Sequence, residues 1–191
     1  MATTVLRRRL PHAERRAEIL AASAAMFRTR GYDAASIDAI AASVGISGPA
    51  IYRYFTRKPE ILIALIEAAA ADVVGAIDRV VATGPQADIL DELTGALIDH
   101  ASRQGDVIAL LQSGTAPIDA RDRNRLHRVR LDLVAHLGAA LNRARPTLMP
   151  AEANLHADVA LGMVGHMTSK LSQNTTLRAQ FRIILRGVLA A

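Results

Sequence analysis

Twenty residues, Ser36 to Phe55, constrain this chain more than any other stretch. Ile37, Ile40, Ala41 and Val44 recur at i, i+3, i+4 and i+7, which is one apolar face of a 3.6-residue period. Ser36 stands where an N-cap hydroxyl satisfies a free backbone N–H, and Asp38 complements the positive start of the helix. Gly45 follows the last periodic residue, the place where a left-handed C′ residue is most easily supplied by glycine. Ser47 offers a second N-cap, and Pro49 falls in a first turn that tolerates a missing N–H. Ile51 and Phe55, four apart, face back towards the first helix. The pattern predicts two short helices joined by a tight turn, a helix-turn-helix whose second helix would lie in a DNA major groove.

The distribution of charge agrees with that expectation. Net charge is +5, yet up to Lys58 there are ten Lys and Arg against four Asp and Glu, an excess of six. The remainder carries thirteen against fourteen. The positive excess therefore sits with the helix-turn-helix, where a phosphate-binding module needs it.

The wider spacing extends the pattern. Ile19–Leu20, Phe27, Gly31–Tyr32, Ser36, Ile40–Ala41, Gly45–Ser47, Ile51–Phe55 and Lys58 fall at fixed intervals. In these positions Ile19 to Leu62 resembles the DNA-binding domain of TetR-type transcriptional regulators, with departures at Arg57 and Pro59. The resemblance implies a ligand-responsive regulator, a repressor released from a palindromic operator by a small hydrophobic effector. It also implies that the start and outward face of the second helix meet duplex DNA. Ser47, Tyr52, Tyr54 and Lys58 would hold phosphates, since hydroxyl and ammonium groups position without reading sequence. Gly48, Pro49, Ala50 and Arg53 would face base edges, and Ser36 completes the set at the start of the first helix. Arg53 suits a bidentate pair with guanine O6 and N7 or a phosphate contact. Tyr54 suits a phosphate or packing inward. Arg7, Arg8 and Arg9 lie in a basic arm, residues 1–11, able to follow phosphates or to remain a solvated tail.

Beyond Lys58 the apolar residues keep helical spacing, and no strand-like alternation occurs, so the expected class is all-α. Helices are expected over about 13–30, 59–81, 87–103, 107–111, 119–145, 151–169 and 175–189. With the two of the helix-turn-helix they make about nine. Residues 1–58 would form a three-helix DNA-binding domain, and 59–191 a helical ligand-binding and dimerisation domain. By resemblance the last two helices pair with their copies across a two-fold axis. Leu155, Val159, Met163 and Met167 from one, and Phe181, Ile184, Leu185 and Val188 from the other, are the interface candidates. A two-fold dimer also suits two recognition helices about one DNA turn apart on a palindrome.

Of the six Phe and Tyr residues only Phe181 lies beyond Phe55, and Trp is absent. A cavity among the later helices would thus be walled by Leu, Ile, Val, Ala and Met, which suits either a flexible aliphatic or acyl ligand or no ligand at all. His100, Gln104, Gln112, His127 and His166 are its polar candidates. The arginines from Arg121 to Arg130 form either a ligand-phosphate site or a solvated charged face beside Asp119, Asp122 and Asp132.

Other function classes find little support. Cysteine is absent, which removes disulfides, thiolate metal sites and thiol nucleophiles. The six histidines show no H-E-x-x-H spacing, and no nucleophile elbow or phosphate-binding glycine loop occurs. No enzyme, metal or cofactor is therefore expected; an all-helical enzyme or a non-specific DNA binder is the alternative. The N-terminal stretch lacks an apolar h-region, and no charge-free run approaches the roughly 20 residues a bilayer span needs. A cytoplasmic protein without a membrane partner is the expectation.

Overall fold

The computed structural model describes residues 11–84, 88–112, 118–171 and 174–191, and their side chains except those of 104–112 and 168–169. The described residues form eight helices and no strand: α1 His12–Arg30, α2 Ile37–Ser43, α3 Gly48–Ile51, α4 Lys58–Thr83, α5 Ile89–Gln112, α6 Ala120–Ala144, α7 Pro150–Leu171 and α8 Thr175–Ala190. The class is all-α, as the spacing predicts. The ninth helix does not exist separately, because the segments expected at 87–103 and 107–111 are one continuous α5. Gly105 lies in its interior, where glycine costs about 1 kcal/mol relative to alanine but does not break a helix. The arm at Arg7–Arg9 lies outside the described residues.

The chain divides into two compact units, Met1–Ile61 and Leu62–Ala191. The division falls three residues later than the expected one after Lys58, inside α4. The start of this helix is tied to the preceding turn, where Thr56 donates to Glu60 Oε2 from both its N–H (2.7 Å) and its hydroxyl (2.8 Å).

In the first unit, α1 turns Ile19, Ser23 and Phe27 inward. The buried Ser23 hydroxyl is satisfied by the Ile19 carbonyl at 2.7 Å, which removes the cost of an unpaired polar group. Gly31, at φ 80°, ends the helix, and Tyr32 folds back with its ring centroid 5.1 Å from that of Phe27. In the second unit, α5, α6, α7 and α8 enclose an apolar core that includes Leu93, Leu97, Leu137, Leu141, Ala157 and Leu185. Asp119 caps α6 by accepting from Asp122 N (2.8 Å), and Asn174 caps α8 by accepting from Leu177 N (2.9 Å). Ala153, Ala157 and Ala160 of α7 are completely buried. Their small side chains let neighbouring helices approach closely.

Candidate nucleic-acid interface and ligand cavity

The turn between α2 and α3 is built by hydrogen bonds that the sequence specifies. Ser36 accepts from Ala39 N at 3.0 Å and caps α2. At the other end Gly45 adopts φ 66°, and its N–H reaches the Ala42 carbonyl while Ile46 N–H reaches that of Ala41, both at 3.0 Å. This pair of bonds is a complete Schellman motif, which needs a left-handed residue at C′. Arg15 of α1 adds a guanidinium bond to the Val44 carbonyl at 3.3 Å, placing a cation at the negative end of α2.

The second helix is shorter than its periodicity suggests. Regular α3 stops at Ile51, and residues 52–54 continue as turns, with Arg53 N bonded to Ala50 O (3.3 Å) and Tyr54 N to Ile51 O (2.9 Å). Tyr-Arg-Tyr-Phe has modest helix propensity, and such i→i+3 bonds are common where a helix ends. Ile51 and Phe55 are buried as expected. Ser47 differs from expectation: it stands at the N-cap without a side-chain cap bond. A Cβ at Gly48 would lie 2.0 Å from Asp38 Oδ1, so the Asp38 carboxylate occupies the space beside the first turn of α3.

Of the nine DNA-facing candidates, Ser36, Ser47, Pro49, Tyr52 and Arg53 are exposed, while Gly48, Ala50, Tyr54 and Lys58 are half-buried. Two have partners within their own unit. The Tyr54 ring stacks on His12 of α1, with centroids 4.6 Å apart at 25°. The Lys58 ammonium lies 4.2 Å from the centre of the Tyr32 ring and donates to the Asp33 carbonyl at 3.3 Å. Burial lowers its pKa, an effect that the negative charge of Asp33 opposes. Arg16 similarly covers the Phe55 ring at 4.8 Å. Some cationic side chains thus brace the aromatic residues of the motif, a use that residue counting does not reveal.

The second unit holds a cavity of about 310 Å³, at the small end of the range for ligand pockets. Its walls are Ile66, Ala69, Ala70 and Val73 of α4, Leu97 and His100 of α5, Leu126, Val129, Arg130 and Leu133 of α6, and Leu161, Gly162, Val164 and Gly165 of α7. Among the described residues no Phe or Tyr contributes, as the sequence predicts. Among the polar candidates His100 lines the cavity and is buried. Burial lowers its pKa; Asp72 opposes and Arg103 reinforces that shift, so the imidazole is neutral near pH 7. His127 and His166 are instead exposed and absent from the lining, because each points away from it on α6 and α7. The side chains of Gln104 and Gln112 lie outside the described residues. Arg130 enters the lining from the arginine run. Arg125, by contrast, is fixed in a bidentate pair with Glu67 at 2.8 Å.

The interface candidates also divide. Leu155 (61% exposed), Val159 (44%) and Ile184 (55%) present bare apolar surface, and Met163, Met167 and Val188 are half-buried. Phe181 and Leu185 belong instead to the core of the second unit. On α8 a residue shifted by one position turns by about 100°, so Ile184 points outward while Leu185 points in. Ile183, at 74% exposure, is an outward residue that the stripe of Phe181, Ile184, Leu185 and Val188 overlooks.

Known proteins agree with this geometry. Residues 19–65 match the family described as bacterial regulatory proteins, tetR family. The HTH-type transcriptional activator FasR of Mycolicibacterium smegmatis is 36% identical over 75 residues, which are 39% of this chain and 34% of that protein. The chain thus spans about a third of the length of that curated relative. A tetR-family transcriptional regulator from Streptomyces coelicolor superposes with a TM-score of 0.70 at 23% identity, covering 95% of this chain and 81% of the other. The fatty acid degradation regulator FadR from Bacillus halodurans superposes with 0.71 at 18%, covering 90% and 94%. These structural likenesses establish the fold. Residues 19–65 thus carry the segment that characterises the tetR family of bacterial regulatory proteins, and the chain has the fold of tetR-family regulators of known structure.

Proposed function

We propose that this protein is a ligand-responsive transcription regulator that binds a palindromic operator as a homodimer and leaves it when a small aliphatic effector fills the cavity. Residues 1–58 serve as the DNA-binding domain and 59–191 as the ligand-binding and dimerisation domain. The observation that carries the reading is the helix-turn-helix itself: exposed Ser47, Pro49, Tyr52 and Arg53 on a turn fixed by Ser36 and Gly45, within the segment that matches the family. Tyr52 and Ser47 hold phosphates and Arg53 reads a base edge, while Lys58 and Tyr54 set the position of the reading segment.

The effector half of the proposal rests on the cavity. Its lining is aliphatic, and four of its residues belong to α4, whose chain continues without interruption from the first unit into the second. A ligand that favours one position of α4 biases the spacing of two recognition segments in a dimer, a coupling of about 1–3 kcal/mol. The name of the Bacillus halodurans neighbour, a fatty acid degradation regulator, is in keeping with an aliphatic effector. Among the described residues no helix is long and apolar enough to cross a membrane, in keeping with work in the cytoplasm.

A band-shift titration against the DNA flanking the gene tests the proposal. Sequence-specific retardation at moderate salt, lost on addition of the effector, is the expected result. Equal affinity for scrambled DNA would leave only non-specific binding, and tighter binding with effector would reverse the direction of control.

A further inference from the structure

We propose that the cavity takes a single-headed amphiphile, an aliphatic tail with one anionic head, and that Arg130 recognises the head by releasing Asp158 and pairing with the ligand instead. The inference rests on the reading of this cavity as the effector site and assigns its ligand class.

Among the described residues the lining offers two polar side chains, His100 and Arg130; the others are aliphatic or glycine. His100 is buried and neutral near pH 7, so it offers a carboxylate or phosphate no countercharge, and an unpaired anion beside it would be strongly disfavoured. Arg130 differs in both respects. Its guanidinium is about half-exposed and always charged, with a planar fork that matches an anionic head.

The other arginines of α6 are unsuited to this task. Arg125 is committed to Glu67, Arg123 donates to the Ile118 carbonyl at 2.7 Å, and Arg121 and Arg128 lie outside the cavity lining. Arg130 is held by α7: its Nη2 lies 2.8 Å from Asp158 Oδ1 and 3.4 Å from the Asp158 carbonyl. Both members of this ion pair are about half-exposed, and such a pair contributes little net stability. The Asp158 contacts use one guanidinium nitrogen, Nη2, so a head group that engages the fork through two nitrogens gains a charge-assisted bond by displacing it, and burial of the tail supplies the rest of the driving force. Beside the guanidinium stands Gly162, where a Cβ would be 3.9 Å from Arg130 Nη2. The missing side chain leaves room for a head group between α6 and α7.

The test is calorimetric titration of the full-length protein, without DNA, with decanoate, decyl phosphate and 1-decanol. Decanoate or decyl phosphate should bind at least about tenfold more tightly than decanol, as expected for a charge-assisted pair. The tighter of the two identifies the head as carboxylate or phosphate. Arg130→Gln should reduce both anions to the level of decanol and leave decanol unchanged. Asp158→Asn, which removes the competitor, should tighten the anions about two- to fivefold. Gly162→Leu should weaken all three ligands by filling the site, with helix content by circular dichroism showing that the fold is intact. Equal affinity for decanol and the anions, or undiminished decanoate binding by Arg130→Gln, would overturn the proposal. Operator release is not part of this measurement: a protein that binds decanoate through Arg130 but never leaves DNA would refute the regulatory reading alone.

Discussion

At the scale of single residues, three side chains illustrate how local chemistry sets behaviour. Gly45 sits at φ 66°, where a Cβ costs about 1–2 kcal/mol. Gly45→Ala should therefore lower stability by about 1 kcal/mol and the Tm by about 2–4 °C in a thermal melt, with Gly45→Asn milder. Unchanged melting would show that the Schellman turn is not under conformational constraint. Arg53 is exposed on the reading segment. Arg53→Ala should cost about 1–3 kcal/mol in operator affinity and relax preference at one base position; a uniform loss across sequences would identify a phosphate contact instead. His100 has a folded pKa below 6.5 because of burial. The unfolded chain then binds the extra proton first, so the His100 contribution is fully present above about pH 6.5 and is lost as pH falls towards the folded pKa. Chemical denaturation at pH 5 and 7.5 should show a smaller loss in His100→Gln than in the natural protein, with Asp72 and Arg103 left in place.

At the scale of elements, the packing of α6 on α7 turns on one glycine. A Cβ at Gly138 would lie 2.1 Å from Asn154 Oδ1 and 3.3 Å from Asn154 N. The side-chain oxygen can move, but the backbone nitrogen cannot without shifting α7. Gly138→Ala should thus destabilise by about 1–3 kcal/mol in denaturant titration, and pairing it with Asn154→Ala should recover part of that loss. An additive double variant would place the strain at the backbone alone. The helix-turn-helix makes the complementary point. Its caps and Schellman turn follow from Ser36 and Gly45, whereas the early end of α3 at Ile51 reflects hydrogen bonding that apolar spacing does not encode.

At the scale of the whole molecule, the bare apolar residues are where the proposed dimer would form. Leu155, Val159, Ile183 and Ile184 on α7 and α8 expose large side chains to solvent, apolar surface of the kind that marks protein–protein contact sites. Replacing Leu155 and Ile184 together by Glu should yield a folded monomer in sedimentation analysis, because neither side chain belongs to the core. Operator affinity should fall with it, since two half-sites can no longer be gripped at once. A stable dimer in that double variant would move the interface elsewhere. Phe181→Glu is the contrasting case: it places a charge in the core and should unfold the second unit rather than separate protomers.

Local and periodic information in the sequence determined the all-α class, the helix-turn-helix with its Ser36 cap and Gly45 turn, the confinement of the excess positive charge to the first 58 residues and the aliphatic character of any later cavity. These features depend on neighbours within about one helical turn or on composition, and both are written directly in the chain. Only the tertiary structure decided which of two adjacent apolar residues on α8 faces inward, that His100 and Arg130 line the cavity while His127 and His166 face solvent, and that Lys58 spends its charge on Tyr32 and Asp33. Such choices depend on how α4 to α8 rotate against one another, and that rotation is fixed by packing between residues distant in sequence.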